Sequence, residues 1–323
     1  MATSTLTDTP APPPAPESHA PRRQRSLRYW LDFRAAPYAY VAPFFAVFAA
    51  FGLYPLIYTG WISLHEVELG TQDQRTWVGL DNYTTMLGDD RFWKALTNTF
   101  TIGVISTVPQ LLMALGLAHL LNYKLRASAF WRVAILTPYA TSVAAGTLVF
   151  ALVFGRDFGM INWFLDVFGV SPIDWEAGRW TSQIAIATIV TWRWTGYNAL
   201  IYLAAMQAVP NELYEASAID GASRWQQFRK VTVPSLRPTI LFTIVVSTIG
   251  ATQLFGEPLL FGGTAGARGG TDGQYQTLGV LLYQQGWGLF HLGRAAAIAW
   301  AMFLILVAIA AVHALITRLL RRA

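Results

Sequence analysis

From Ala295 to Leu320 the chain runs AAAIAWAMFLILVAIAAVHALITRLL. The only Asp, Glu, Lys or Arg residue in this stretch is Arg318, close to its end. A helix needs about 20 apolar residues to cross the hydrocarbon core of a bilayer, which is about 30 Å thick. The stretch exceeds that length, so it predicts a transmembrane helix.

Five earlier segments have a similar length and apolar character. Because backbone groups inside a bilayer must be satisfied within the spanning element, we expect each segment to be helical. None shows the alternation over about 10 residues that a transmembrane β-strand requires. The prediction is an all-α integral membrane protein with six transmembrane helices, at residues 38–64, 95–122, 130–155, 182–209, 238–262 and 295–320.

The composition of the whole chain agrees with this class. Of its 323 residues, 54% are hydrophobic and 13% are charged, and the charged share is about half of the roughly 25% that soluble domains carry. Mean hydropathy is +0.38. This balance excludes a soluble multidomain protein, a disordered protein and a nucleic-acid-binding protein.

Residues 1–35 precede the first segment and differ from the rest of the chain. Their first part is rich in Pro, Ala, Thr and Ser and lacks the apolar residues needed for a core, which predicts a disordered tail. A basic cluster completes this region and consists of Arg22, Arg23, Arg25, Arg28 and Arg34. We expect residues 36–323 to form the membrane domain.

The distribution of Lys and Arg predicts the orientation, since cytoplasmic loops carry an excess of both. Fifteen lie in the N-terminal region, near the loop at 122–130, in the loop at 210–237 and at the C-terminus. Seven lie in the alternate loops. We therefore expect both termini in the cytoplasm. Among the extracytoplasmic loops, the glycine-rich stretch at 262–270 is expected to be flexible.

Several chemical motifs are missing from the sequence. None of the three lysines belongs to a phosphate-binding G-x-x-x-x-G-K-[ST] loop, and no G-x-S-x-G occurs. The five histidines lack metal-ligand spacing, and there is no cysteine. The sequence predicts no catalytic residue, no metal site and no cofactor bound by this chain. Well inside the apolar segments, only Arg193 and Glu257 carry charge.

The loop between the fourth and fifth segments has a distinctive pattern. From Pro210 to Pro234 it runs PNELYEASAIDGASRWQQFRKVTVP. Gly221 can adopt the left-handed conformation that ends a helix, and Ser223 with Gln226 forms the capping-box pattern that starts another. The loop therefore predicts two short helices separated by a glycine.

The first of these helices carries a face of small and apolar residues flanked by acids. Such a face suits docking into a groove on another protein. An amphipathic helix lying on the bilayer is the alternative, although such helices favour basic residues. The face consists of Leu213, Ala216, Ile219 and Ala222, with Glu212 and Glu215 near the start of the helix.

The stretch EASAIDGA at 215–222, followed by Pro234, resembles the EAA loop of bacterial ABC importer permeases. Ser217 and the run VTVP at 231–234 are mild departures from the family pattern. Further stretches resemble the carbohydrate permeases of this family, in particular the compact six-helix form of the maltose-system F-type subunit. These stretches are APY at 36–38, VGLDNY at 78–83, FW at 92–93 and GMINW at 159–163.

This resemblance covers residues 36–320 and implies the fold of a type I ABC importer permease in a bacterial inner membrane. It implies that the first helix of the loop docks in a cytoplasmic ATPase, present as two subunits or a homodimer, which binds ATP and Mg. A second homologous permease and an extracytoplasmic sugar-binding protein are the other implied partners. The coupling residues implied are Glu215, Ala216, Asp220 and Gly221.

The resemblance also implies a pocket for a di- or oligosaccharide between the fourth and fifth segments. The run TWRWTGYN at 191–198 places aromatic and hydrogen-bonding groups at a depth where polar groups are costly. Sugars bind through such groups. At position 251 the related permease has Asn, whereas this chain has Ala. The candidate substrate residues are Trp192, Trp194, Thr195, Gly196, Asn198, Ser247, Gly250, Ala251, Gln253 and Glu257.

Other interpretations of the same residues remain open. Trp192 and Trp194 also suit ordinary helix packing, Ser247 suits an interhelical hydrogen bond, and Arg193 could pair with Glu257. An ABC permease for another solute, such as glycerol phosphate, would favour a basic pocket. An ion-coupled secondary carrier and a membrane enzyme acting on lipid-linked sugar are the remaining alternatives.

Overall fold

The computed structural model describes residues 36–68, 75–123 and 126–322 of the chain. The predicted tail at 1–35 lies outside the described residues. Within them the chain is mainly helical and contains a small antiparallel sheet that pairs His65 with Trp77. The chain divides into two compact units, one ending at Ile57 and the other beginning at Tyr58.

The first part of the described chain is an apolar helix with one wide turn. Helix α1 spans Ala36–Phe48, a π-helical turn covers Ala49–Leu53, and α2 spans Tyr54–Ser63. No side chain of α1 or of the π-helical turn is buried. A helix with so many exposed apolar side chains needs a covering of lipid or of another protein.

The remaining elements follow in chain order. They are first β1 (His65–Glu66), β2 (Thr76–Trp77), α3 (Asp81–Leu87), α4 (Asp90–Leu121), α5 (Ser128–Ala140), α6 (Val143–Val153), α7 (Met160–Asp166) and α8 (Arg179–Gln207). Then come α9 (Asn211–Ile219), α10 (Arg224–Gln227), α11 (Val233–Ser235), α12 (Arg237–Thr252), α13 (Gly256–Phe261), α14 (Gly263–Gly266), α15 (Leu278–Tyr283) and α16 (Leu292–Arg322). Two further π-helical turns cover Phe228–Thr232 and Gln284–Gly288.

Helix α8 forms the centre of the second unit. Helix α4 packs along it, and α5, α12 and α13 also contact it. More than half of the residues of α8 are buried. Hydrogen bonds cross between these helices, for example from Thr191 on α8 to the carbonyl of Ser106 on α4 at 3.1 Å and between Tyr202 on α8 and Thr243 on α12 at 2.6 Å. Protein therefore covers most of α8, while a face with Trp180, Ile184 and Trp192 stays exposed.

Three helices in the described ranges are long and apolar enough to cross a membrane: Ala36–Ser63, Asp90–Leu121 and Leu292–Leu319. The number rises to five if the bent pair of α5 and α6 and the bent pair that ends in α12 are each one span. Helix α8 has 29 residues but is not among these spans. Buried polar side chains such as Gln183 and Arg193 account for its lower hydropathy.

Two predicted segments are not straight helices, contrary to the simplest expectation. The segment at 130–155 bends by 91° between α5 and α6, just after Pro138. The segment at 238–262 follows a bend of 66°, and its helix stops at Thr252 before α13 begins. Proline removes a backbone donor and favours such breaks, but apolar composition alone does not reveal their angles.

The described parts of the loops at 65–89, 154–178 and 262–291 meet at one end of the second unit. The backbone N–H of Leu292 donates to the carbonyl of Val67 at 2.9 Å. The side chain of Gln274 donates to the carbonyl of Glu176 at 2.7 Å. These are the loops that carry the smaller number of basic residues.

The loop at 210–237 contacts the opposite ends of the same helices. The guanidinium of Arg224 lies 5.6 Å from the ring centroid of Tyr123, and the His119 ring lies 4.3 Å from the ring of Phe228. Both His119 and Tyr123 come from the end of α4. The two groups of loops are therefore separated by the length of the helices.

Helices α5 and α8 approach each other closely at Gly196. A side chain at this position would overlap the backbone carbonyl of Ile135 on α5. Small residues allow such close approach between membrane helices. Gly196 therefore has a packing role, whatever else it contacts.

We expect Gly196→Ala to destabilise the protein by about 1–3 kcal/mol, because the added methyl group must displace α5. Gly250→Ala on α12 is the matched control, since a methyl group there meets no atom within 4 Å and alanine is the better helix former. Thermal unfolding in detergent compares the two variants. Equal stability of both would contradict the close contact.

Candidate functional site

The two charged residues of the apolar segments form an ion pair. Nη1 of Arg193 on α8 donates to Oε1 of Glu257 on α13 at 2.8 Å. Their side chains are only 10% and 6% exposed. Burying two charges is costly, and pairing offsets much of that cost. The pairing that the sequence left open is therefore present, and this part of the site has no net charge.

One donor of this pair is left over. Nε of Arg193 is buried without a hydrogen-bond partner among the described residues. A buried donor without an acceptor is costly. This atom is therefore a position at which a hydroxyl group of a bound molecule, or a water, would be stabilised.

Three aromatic rings from α5 and α8 form a cluster, and two of them follow Arg193 on α8. Tyr139 stacks on Tyr197, with ring centroids 4.7 Å apart and planes at 21°. Trp194 meets Tyr139 edge-on at 5.2 Å. Trp194 was predicted as a substrate residue, whereas the two tyrosines were not. Tyr197 lies in the quoted run TWRWTGYN, but the partnership of Tyr139 depends on how α5 packs on α8.

The other predicted residues of α8 lie elsewhere. The ring of Trp192 packs on Phe150 of α6 with centroids 5.1 Å apart. Thr195 and Asn198 are buried, and their side chains donate to carbonyls one turn earlier, at 2.6 and 3.3 Å. The structure therefore places Trp194, and not Trp192, in the cluster of rings.

The predicted residues of α12 are divided between two directions. Ser247 accepts a hydrogen bond from Nε2 of Gln110 on α4 at 3.2 Å, and Ala251 also packs towards α4. Gly250 is partly exposed and has open space around it, while Gln253 is exposed where the helix ends. Ser247 thus has the interhelical bond that the sequence offered as an alternative.

A cleft of about 390 Å³ opens between α4 and α12. Its lining is mainly apolar, and α12 contributes Thr248, Ala251 and Thr252. A sugar needs several convergent polar groups, so this lining suits an apolar occupant better. Sequence analysis did not predict the cleft, because it arises from the relative positions of two helices.

A polar network, also missed by sequence analysis, holds residues 262–277 against α4 and α8. Asn98 donates to two backbone carbonyls of this segment at 3.0 and 3.1 Å. Gln183 donates to Oδ1 of Asn98 and to the carbonyl of Gln274, both at 2.9 Å. Within the glycine-rich stretch, Gly269 and Gly270 are buried against Gln276 and Gln274, while Ala267 and Arg268 are exposed. The only signal of this network in the sequence is that Asn98 and Gln183 are polar residues near the ends of their helices.

Tyr275 lies within this packed segment. Burial raises the pKa of its phenol, and the nearby carboxylate of Glu176 raises that pKa further. Burial also raises the pKa of Glu176, with an additional contribution from Asp174. The phenol of Tyr275 therefore stays neutral throughout the physiological pH range.

The loop at 210–237 contains the two helices that the sequence predicted. They are α9 and α10, separated by Gly221, whose φ of +79° is the left-handed conformation expected of it. Ser223 and Gln226 form both hydrogen bonds of the capping box. The four residues predicted to couple are all exposed: Glu215, Ala216, Asp220 and Gly221.

Helix α9 presents its apolar side chains to solvent as well. Leu213 is 48% exposed and Ile219 is 87% exposed. On the inner side, the hydroxyl of Tyr214 bonds to that of Thr232 at 3.0 Å and links α9 to the π-helical turn. The loop therefore offers an exposed helix whose inner side is fixed to the rest of the unit.

A buried neutral site within a bundle of apolar helices, together with an exposed helical loop at one end, is the arrangement of a membrane-embedded transport subunit. The family model described as "Binding-protein-dependent transport system inner membrane component" matches residues 100–323. The chain belongs to this family of inner membrane transport components.

Similar proteins include several transport permeases. The chain is 37% identical to the lactose transport system permease protein LacF of Rhizobium radiobacter, over 80% of this chain and 85% of that protein. It is 32% identical to the arabinooligosaccharides transport system permease protein AraP of Bacillus subtilis, over 92% of both chains. These relatives are permeases and not enzymes.

The fold is also similar to that of a solved transporter. A chain of the crystal structure of a bacterial ABC transporter involved in the import of the acidic polysaccharide alginate superposes with a TM-score of 0.74. The match covers 90% of this chain and 98% of that chain at 20% sequence identity. It establishes the ABC importer permease fold.

We expect Arg193→Gln or Glu257→Gln alone to destabilise the protein by about 3–5 kcal/mol, because each leaves a buried charge without its partner. The double variant should be more stable than either single variant. Thermal unfolding of the four proteins in detergent gives the coupling energy as a double-mutant cycle. Additive effects would contradict the ion pair.

Proposed function

We propose that this chain forms half of the translocation pathway of an ATP-driven importer for a neutral di- or oligosaccharide. The observation that carries the proposal is the combination of the neutralised Arg193–Glu257 pair with the ring cluster of Tyr139, Trp194 and Tyr197. Sugars present C–H faces that pack on aromatic rings and hydroxyl groups that need polar partners. The permeases for lactose and arabinooligosaccharides named above support this class of substrate.

The charge of the site argues against an anionic solute such as glycerol phosphate. Such a solute would need an uncompensated basic group, and Glu257 already neutralises Arg193. An ion-coupled carrier is also disfavoured, since Arg193 and Glu257, the two charged residues of the apolar segments, pair with each other. A neutral polyhydroxyl molecule needs no counter-charge and gains from the unpaired Nε of Arg193.

We place the substrate around α8, between α5 on one side and α12 and α13 on the other. The proposed contacts add Tyr139 and Tyr197 to the residues predicted from the sequence. They retain Trp192 and Gly196, which lie close to Trp194 on α8. Ala251, where a related permease has Asn, faces α4 and is retained from the sequence prediction. The proposed set is Tyr139, Trp192, Trp194, Thr195, Gly196, Tyr197, Asn198, Ser247, Gly250, Ala251, Gln253 and Glu257.

The proposed topology has six spans in a domain of residues 36–323, with both termini in the cytoplasm. Helix α8 counts as the fourth span because protein shields its polar residues from lipid. The gathering of the loops at 65–89, 154–178 and 262–291 at one end, opposite the loop at 210–237, supports this orientation. The excess of Lys and Arg gives the cytoplasmic side.

We propose that α9 couples this chain to a cytoplasmic ATPase. Its exposed apolar residues suit a protein groove, and its exposed acids suit basic residues on the rim of that groove. The chain itself would bind no cofactor, while two ATPase subunits or a homodimer would bind ATP and Mg. Their closure would move the loop and change access to the site. The coupling residues proposed are Glu215, Ala216, Asp220 and Gly221.

Two further partners belong to this proposal. A second homologous permease would supply the other half of the pathway, and an extracytoplasmic sugar-binding protein would deliver the substrate. A solved alginate importer of the same fold is in complex with a pentasaccharide-bound periplasmic protein. Mass spectrometry of the chain purified from its native membrane tests the proposed assembly. Its recovery without an ATPase, under conditions that preserve such complexes, would contradict it.

We expect Glu215→Lys and Gly221→Asp to lower sugar uptake by at least about tenfold, equivalent to a docking loss of about 1.4 kcal/mol. The first reverses the charge of the docking face, and the second places a side chain at a left-handed position. Asn211→Lys is the matched control, since it adds a positive charge to the same helix outside the motif and removes none of its acids. Membrane insertion should be unchanged in all three. Wild-type uptake by Glu215→Lys would remove this residue from the coupling surface.

We expect Trp194→Ala to raise the KM for sugar uptake by about tenfold, because about 1.4 kcal/mol of ring contact is lost. Trp131→Ala is the control, since that ring lies on α5 outside the proposed set and packs on Phe130 instead. Uptake of labelled sugar into proteoliposomes containing the assembled transporter measures both. An equal rise in KM for the two variants would show that the ring cluster is not a specific contact.

A further inference from the structure

The segment between α6 and α8 exposes an unusual number of apolar side chains. Around helix α7, six large apolar residues are more than half exposed, and Phe158 is fully exposed. A water-exposed loop normally presents polar residues instead. The exposed residues are Phe158, Met160, Trp163, Phe164, Val167 and Phe168.

These side chains form a continuous stripe and are not scattered. Met160, Trp163 and Phe164 have the spacing of one face of α7, and Val167 and Phe168 lie in the turn that follows it. The rings of Phe164 and Phe168 contact each other with centroids 5.2 Å apart. The stripe contains no charged residue. It is therefore an apolar face that points away from the protein.

Asn162 fixes the opposite face of α7 to the protein. Its Nδ2 donates to the carbonyls of Arg156 and Ile173 at 2.9 and 2.8 Å. Its Oδ1 accepts from the backbone of Ile173 and from Nε1 of Trp175 at 3.2 and 3.1 Å. With its polar face held in this way, α7 cannot turn its apolar stripe inward.

The position of the stripe identifies what covers it. Helix α6 exposes apolar residues along its length, and Leu152 near its end is 77% exposed. Only five residues separate Leu152 from Phe158, among them the exposed Arg156 and Asp157, so the stripe begins close to the end of a membrane helix. Trp180, at the start of α8, is also 59% exposed. Tryptophan at the ends of membrane helices is typical of the bilayer interface.

We propose that α7 lies in the interface of the bilayer, with its apolar stripe inserted at the boundary between headgroups and acyl chains. The segment at 156–170 is then a membrane-surface anchor that sets the depth of the outer end of α8, to which it is linked through Asn162 and Trp175. The proposal depends on the chain crossing a bilayer and not on which solute it carries. A binding protein or partner permease covering the stripe is the competing arrangement.

The absence of cysteine from the sequence makes a direct test possible. Single cysteines at Phe164→Cys and Val167→Cys would carry a nitroxide label on the stripe. Leu152→Cys is the control for the hydrocarbon region, and Ala177→Cys, on an exposed turn of the same loop, is the control for water. The full chain with its co-purifying subunits would be studied in lipid nanodiscs, where both membrane faces are accessible.

Collision rates with oxygen and with a polar nickel complex then report the depth of each label. We expect the nickel collision rate at 164 and 167 to be at least about threefold lower than at 177, as for an interfacial helix, and their depth to lie between those of 177 and 152. Labels at 164 and 167 that behave as at 177 would overturn the proposal. Immobilised labels protected from both reagents would overturn it in favour of a protein contact.

Discussion

A polar helix can cross a bilayer only when other helices shield it, and this constraint organises the structure around α8. Gln183, Arg193 and Asn198 would each be costly in contact with lipid. Helices α4, α5, α12 and α13 surround α8 and bury these side chains. Helices with many exposed apolar side chains, such as α1, have sequences without charged residues. Hydropathy along this chain therefore measures contact with lipid more than membrane depth.

This constraint also determines how much of the fold the sequence could predict. The family, the helical class and the ends of the two short helices at 210–237 follow from local signals, because Gly221 and the Ser223–Gln226 pair act over a few residues. The 91° bend between α5 and α6 does not follow, since Pro138 and the apolar residues around it suit both a straight and a bent helix. Hydropathy alone also omits α8 as a membrane span, because its polar residues are buried or hydrogen-bonded by residues that are distant in the sequence.

The candidate site shows a similar division. Trp194, Arg193 and Glu257 were identified from the sequence because polar and aromatic residues are uncommon inside apolar segments. Tyr139 was missed, since its place in the site depends on the close approach of α5 to α8 at Gly196. Asn98 and Gln183 were missed because each polar side chain lies near a helix end, where polarity is ordinary. The hydrogen bond from Gln183 to Asn98 depends on how α8 packs on α4, which the sequence does not show.

The two ends of α8 are held by different kinds of contact, and this difference bears on coupling. At one end, amide side chains bond to backbone carbonyls and fix residues 262–277 to α4 and α8. At the other end, rings and a guanidinium contact the loop at 210–237, as between His119 and Phe228. Ring contacts are less directional than hydrogen bonds to carbonyls. If α9 couples to an ATPase as proposed, a force applied to it would be accommodated first by sliding at the end with the loop at 210–237, while the amide network keeps the far end of α8 in place.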